Sequence, residues 1–127
     1  MENKVVIALD AMGGDYAPVE TVKGAVEAVN ENKGMKVILV GREEEIKSEL
    51  AKYTYEEASI EIVNATEIID MGEVPTKAIR EKKDSSLVVA MKLVRDGKAD
   101  AIVSAGSTGA ISVSYTHLRA HETPEHL

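Results

Sequence analysis

The chain is expected to fold as an α/β protein: a partial, truncated doubly wound domain with a mostly parallel sheet and helices on both faces, Rossmann-like and three-layered. Two observations predict this. Short β-branched apolar runs alternate with stretches of helical periodicity from one end to the other. That alternation builds βαβ units, which force a parallel sheet. Two of the runs, Val5-Val-Ile-Ala-Leu9 and Ala101-Ile-Val103, lead straight into glycine-bearing polar loops, the usual place for a ligand in such sheets.

Lys4 to Leu9 reads as a buried strand, being short, apolar and β-branched. Pro18 suits the first turn of the helix that follows, where a missing N–H costs little. Val22, Ala25, Val26 and Val29 recur at helical spacing, and Asn32-Lys-Gly34 ends that helix. Lys36 to Val40 is the second strand, closed by Gly41. Ile46, Leu50 and Tyr53 mark one face of a second helix, and Glu43-Glu-Glu45 suits its positive first turn. Ile60 to Val63 is the third strand. Glu67 to Glu73 has no clear period and reads as irregular. A short helix spans about Pro75 to Lys82. Asp84, Ser85 or Ser86 caps the next helix, in which Leu87, Met91 and Val94 share a face and which Gly97 stops. Ala101 to Ser104 is the fourth strand, read as buried.

Composition sets limits. The 127 residues suffice for one domain, and 44% are hydrophobic. Only 3% are aromatic, with no Phe and no Trp, so the core is aliphatic. No run approaches the roughly 20 apolar residues of a membrane span. The amino terminus runs directly into a strand and does not read as a signal peptide. The absence of cysteine excludes disulfides, thiolate metal sites and cysteine catalysis, and fits a cytoplasmic location. A net charge of −7 without a basic stripe argues against nucleic acid as a partner. The local exception is Lys77-Ala-Ile-Arg80-Glu-Lys82-Lys83, with four cations in seven residues. It reads either as a solvated helix face or as a patch for an acidic partner or substrate.

The candidate site combines the two glycine loops. In Ser104-Ala-Gly-Ser-Thr-Gly-Ala110, Gly106 and Gly109 let the backbone approach a ligand, while Ser104, Ser107 and Thr108 supply hydroxyls. Successive N–H groups there, with the start of a helix, make an anion cradle. In Asp10-Ala-Met-Gly-Gly-Asp15, Asp10 and Asp15 can orient donors or relay a proton, and Gly13 and Gly14 permit a tight turn. Simpler roles stand beside these: Asp15, Ser107 and Thr108 as helix caps, Ser104 as a satisfied strand-end hydroxyl. No residue is assigned as catalytic.

The last sixteen residues break the pattern. Ser112 to Leu127 lacks helical apolar spacing and holds all three histidines, His117, His121 and His126. The i, i+4 pair His117 and His121 can bind a metal on a helix, but the tail resembles a translated adapter or vector junction, and no metal site is expected. The division expected is therefore residues 1–111 as the amino-terminal part of an α/β domain and 112–127 as a non-native tail.

Three motifs carry a family resemblance: Ile7-Ala-Leu-Asp-Ala-Met-Gly-Gly-Asp-Tyr-Ala-Pro18; Lys77-Ala-Ile-Arg80 with Lys83-Asp-Ser-Ser86; and Gly97-Lys-Ala-Asp-Ala-Ile-Val-Ser-Ala-Gly-Ser-Thr-Gly-Ala110. Together they resemble the amino-terminal part of the bacterial phosphate acyltransferases of phospholipid synthesis, over residues 4 to about 111. The family typically has Asn where this chain has Ser107. The resemblance implies a reaction: inorganic phosphate attacks the thioester of a fatty acyl chain on acyl carrier protein, giving acyl phosphate. No cofactor is implied. It also implies that Gly106 to Gly109 hold phosphate. Arg80, Lys82 or Lys83, with Lys77 nearby, would neutralise phosphate or meet the acidic carrier protein. The family is longer, so its dimer-forming surface, membrane-contacting helices and much of its active site belong beyond residue 111. This chain by itself is then expected to be inactive, with an unpaired strand edge and uncovered apolar surface. Two other readings are a phosphate acetyltransferase or decarboxylating dehydrogenase of related architecture, and a non-enzymatic ligand-binding module. No Gly-x-Gly-x-x-Gly follows the first strand, which disfavours a dinucleotide enzyme.

Overall fold

A computed structural model describes residues 4–69, 73–106 and 111. Four parallel strands form one sheet: β1 (Val5–Asp10), β2 (Met35–Gly41), β3 (Ile60–Asn64) and β4 (Ala101–Val103). Their order is β3-β2-β1-β4. Among the described residues, the strands are connected by α1 (Val19–Glu31), α2 (Glu43–Leu50), α3 (Pro75–Glu81) and α4 (Ser86–Arg95), with a 3-10 turn at Glu57–Ser59 before β3.

The alternation of each strand decides which helix it meets. Ile7 and Leu9 of β1, with Val37 and Leu39 of β2, pack against Val22, Ala25, Val26 and Val29 of α1 and Ile46 and Leu50 of α2. Val6 and Ala8, with Ile38 and Val40, face the other way and pack with Ala90 and the flanking Val89, Leu93 and Val94 of α4. Strands β1 and β2 thus meet helices on both faces of the sheet through aliphatic side chains, as strands of a parallel sheet do.

The expected elements are present with boundaries shifted by a residue or so, except that α2 ends at Leu50 and leaves Tyr53 beyond it, packed against the same cluster. Helix α1 begins at Val19 with Pro18 in the capping position; the Ala17–Pro18 peptide bond is cis. No side chain caps that end, so Asp15, which is exposed, does not serve as its cap. Of the three candidate caps for α4, Ser85 is the one used: its hydroxyl accepts the Val88 N–H at 3.2 Å. Gly97, at φ +78°, ends α4 in the left-handed region that glycine favours.

One expectation is overturned. Strand β4 is not buried: Ala101 and Val103 are exposed, Val103 by 51%. Ile102 packs under α4, but nothing described covers the opposite face of β4. The first strand is likewise only half-buried, with Val5 exposed by 52%. A run of apolar residues reveals that a strand is built for burial; what buries it depends on elements elsewhere.

Candidate functional site at the β1–β4 crevice

The strand order reverses at β1. The chain moves outward from β1 to β2 and β3, then crosses back to place β4 on the free side of β1. The crevice beyond the carboxyl ends of β1 and β4 is therefore the topological switch point, where open α/β sheets bind ligands. Both glycine loops open there.

Asp10 is the residue that joins them. It continues the series Val6, Ala8, Asp10 on the α4 face of β1, so its side chain is delivered to the start of α4. The register pairs Leu9 with Val103; one step further sets Asp10 opposite Ser104. Asp10 is only 3% exposed. Its Oδ1 accepts the Ser86 hydroxyl at 2.5 Å and the Met12 N–H at 3.2 Å. Its Oδ2 accepts the Ser104 hydroxyl at 2.9 Å. The Ser104 oxygen in turn accepts the Gly106 N–H at 3.1 Å. One side chain thus ties the end of β1, the first residue of α4 and the loop after β4. Burial of such a polar group is tolerated because its oxygens are met by donors. Its place at the amino end of α4 adds the favourable alignment with the helix dipole.

The glycines are required by this packing. A Cβ on Gly13 would lie 2.6 Å from Asp10 Oδ2 and 3.1 Å from the Gly106 nitrogen. Gly14 has φ +100° and sits against Ala105. The two loops therefore touch through glycine backbone, and this contact closes the crevice. The space left among Asp10, Met12, Gly13, Ser86, Leu87 and Gly106 is a cavity of about 10 Å³. That is about one water, so a larger anion would have to lie across the rim, over the Ser104–Gly106 turn. Thr21 fixes the other side of the first loop, its hydroxyl donating to the Ala11 carbonyl at 2.6 Å.

The motif around Ser86 has a second function. Asp84 Oδ2 accepts both the Thr66 hydroxyl at 2.6 Å and the Thr66 N–H at 2.9 Å. The Asp84 N–H donates to Glu67 Oε1 at 3.1 Å. These bonds bind the segment after β3 to the start of α4. The Thr66 hydroxyl, then its N–H, hold the Asp84 carboxyl below its usual range, with the Lys92 charge adding to them against a small desolvation effect.

The basic run lies on and just after α3. That helix packs beside the start of α4 through Ile79, Leu87 and Val88. Lys77, Arg80 and Lys83 are exposed. Lys82 donates to the Ile68 carbonyl at 2.8 Å and pairs with Glu73 at 2.7 Å. The structure therefore brings together Asp10, Gly13, Gly14, Ser104 and Gly106. Asp15 is exposed on the same loop and takes no part in the Asp10 network. Ser107, Thr108, Gly109 and the tail from residue 112 lie outside the described residues. Sequence reasoning missed Ser86 as a partner of Asp10; it weighed Ser86 as a cap and as the end of a family motif. Among the described residues no group of acidic or histidine side chains is placed to hold a metal, and no helix is long and apolar enough to cross a membrane.

The fold and site together define an open-sheet α/β protein with a polar, glycine-lined crevice at its switch point. Comparison with known proteins makes this specific. Residues 5–124 match the family model described as "Fatty acid synthesis protein", and the chain belongs to that family. Among curated relatives, the phosphate acyltransferase of Dictyoglomus turgidum is 59% identical over 108 residues, covering 85% of this chain and 32% of the relative. That of Fusobacterium nucleatum is 57% identical over 108 residues, with the same coverage of 85% and 32%. That of Clostridium botulinum (strain Loch Maree) is 52% identical over 112 residues, 88% of this chain and 33% of the relative. The chain spans about a third of the length of the relatives it matches.

Proposed function

We propose that the chain is the part of a phosphate acyltransferase that carries an anion site for inorganic phosphate. The observation that carries this reading is the Asp10–Ser104–Gly106 linkage at the switch point, in a chain of this family. In the proposed reaction a phosphate oxygen attacks the thioester carbon of a fatty acyl group on acyl carrier protein. A carbon–oxygen bond forms, the carbon–sulfur bond breaks, and the proton of hydrogen phosphate passes to the departing thiolate. Phosphate is itself the nucleophile, so no serine or cysteine of the enzyme need form a covalent intermediate. What such a site must supply is position and charge stabilisation.

Within this reading Asp10 is a positioning residue. Its oxygens are taken up by Ser86, Ser104 and Met12, and an acidic group facing phosphate would repel it. Gly106, Ser107, Thr108 and Gly109 supply the cradle, with Ser104 setting its first turn. Lys77, Arg80 and Lys83, exposed on and just after α3, would meet phosphate or an acidic carrier protein. No cofactor takes part. The dimer interface, the membrane-facing surface and the catalytic groups that complete the site belong to the two thirds of the family protein outside this chain, which acts in the cytoplasm at the inner face of the membrane. The 127-residue chain alone does not turn over. The tail reading rests on the composition of residues 112–127, although the family match itself runs to residue 124.

The test is a chimera in which residues 5–111 of this chain replace the matched segment of the Dictyoglomus turgidum relative. Release of free thiol from acyl-acyl carrier protein should depend on phosphate, and Gly106→Val should raise the phosphate requirement. A folded chimera with no phosphate-dependent release would overturn the reading.

A further inference from the structure

Two buried serines stand side by side at the start of α4 and do different work. Ser85, fully buried, caps the helix: its hydroxyl accepts the Val88 N–H at 3.2 Å. Ser86, 2% exposed, takes no part in that cap. Its N–H donates to the Glu67 carbonyl at 3.1 Å, and its hydroxyl donates to Asp10 Oδ1 at 2.5 Å. Alanine is the better helix former at such a position, and a buried hydroxyl is costly unless it is bonded. What the Ser86 hydroxyl supplies is therefore the bond to Asp10. We infer that Ser86 is a positioning residue for phosphate: it fixes the rotation of the Asp10 carboxylate and, through it, the turn from Ser104 to Gly106. The inference rests on the phosphate reading above.

The last torsion of an aspartate is broad, so the partners of its oxygens decide where they point. The two oxygens turn together, and a donor on Oδ1 thus sets Oδ2. Oδ2 accepts the Ser104 hydroxyl at 2.9 Å. Having given its proton to Asp10, the Ser104 oxygen keeps lone pairs for the Gly106 N–H, which it accepts at 3.1 Å. The Met12 N–H also meets Oδ1, at 3.2 Å, but it belongs to the same loop as Asp10 and moves with it. Ser86 comes from a separate element. Its backbone is tied to Glu67, and its near neighbour Asp84 to Thr66, so its hydroxyl reaches Asp10 from an anchored frame. The order Ser86, Asp10, Ser104, Gly106 is thus a chain of bonds that carries the placement of α4 to the turn after β4.

Ser86→Ala and Ser85→Ala in the chimera separate positioning from support of the helix. Ser86→Ala should raise the KM for inorganic phosphate about tenfold, the effect of roughly one hydrogen bond to a carboxylate, and leave that for acyl-acyl carrier protein within about twofold. Ser85→Ala should lower the melting temperature and leave the phosphate KM within about twofold. Added to Ser104→Ala, Ser86→Ala should raise the phosphate KM little further, because both act on one carboxylate. An unchanged phosphate KM in Ser86→Ala, an equal rise in Ser85→Ala, or effects that multiply in the double variant would overturn the inference. Amide hydrogen exchange in the 127-residue chain, followed by NMR, reads the same linkage without any reaction. Ser86→Ala should speed exchange at Gly106 about tenfold relative to Leu39, fully buried in β2, and Ser85→Ala should not. An unchanged ratio in Ser86→Ala would overturn the inference as well. A chimera with no phosphate-dependent release, beside faster Gly106 exchange in Ser86→Ala, would uphold the linkage and refute the phosphate reading, and with it this role of Ser86.

Discussion

Replacing Gly13 by Ala tests the contact between the two loops. The new Cβ would stand 2.6 Å from Asp10 Oδ2, 3.1 Å from Asp10 Cγ and 3.1 Å from the Gly106 nitrogen. Relief by swinging Asp10 aside is blocked, because Ser86, Met12 and Ser104 hold its oxygens. Relief by moving Gly106 means moving backbone. Overpacking of this kind costs about 1–3 kcal/mol. The reduced freedom of the unfolded chain returns about 0.4–1 kcal/mol. Gly13 is not at positive φ, so no backbone strain enters. The net loss expected is about 1–2 kcal/mol, read from urea titrations followed by circular dichroism at 222 nm. Asp10→Ala removes the atom struck first, so the double variant should be less destabilised than the sum of the two singles by about 1 kcal/mol. A Gly13→Ala change within about 0.5 kcal/mol of the parent, or strict additivity with Asp10→Ala, would refute the packing argument.

The other predictions concern the frame around the site. Gly24→Ala, in the interior of α1 with open space around the new methyl, should stabilise the 127-residue chain by roughly 0.5–1 kcal/mol in the same titration. Ser85→Ala removes the cap of α4 and should cost about 0.5–2 kcal/mol. Asp84 has a folded-state pKa below its usual 3.8, so its contribution is present above that value and is lost as pH falls through the lower folded value. Asp84→Asn should therefore flatten the decline of stability below about pH 4 seen in titrations at a series of pH values; an unchanged acid limb would contradict the Thr66–Asp84 linkage.

The frame was legible in the sequence because periodicity is local. Val22, Ala25, Val26 and Val29 announce the buried side of α1, and the β-branched run before Asp10 announces a strand, whatever else the chain does. Gly97 was legible for the same reason, and the cap of α4 was narrowed to Asp84, Ser85 or Ser86: stopping and capping a helix are decided within a turn. The linkage of Asp10 to Ser86 was not, since 76 residues separate them and only the crossover to β4 brings them together. Ser86 drew attention as a cap, one position from the residue that fills that role. Lys82 was read with its neighbours as part of a solvated face or a patch for an acidic partner, because Glu67 to Glu73 has no period that would reveal Ile68 and Glu73 as its partners. The exposure of β4 escaped notice because covering a strand is a property of the whole fold.

The central claim is that the loops after β1 and β4 form one anion site whose geometry Asp10 sets through Ser104. Ser104→Ala in the chimera tests it most directly. The substitution leaves the Gly106 N–H without its acceptor and Asp10 without one donor, and lies outside the strand pairing of β4. Loss of one such bond is worth about 1–2 kcal/mol, or roughly tenfold in an equilibrium constant. The account predicts that the KM for inorganic phosphate rises about tenfold and that for acyl-acyl carrier protein stays within about twofold. An unchanged phosphate KM, or a rise confined to the acyl donor, would contradict it.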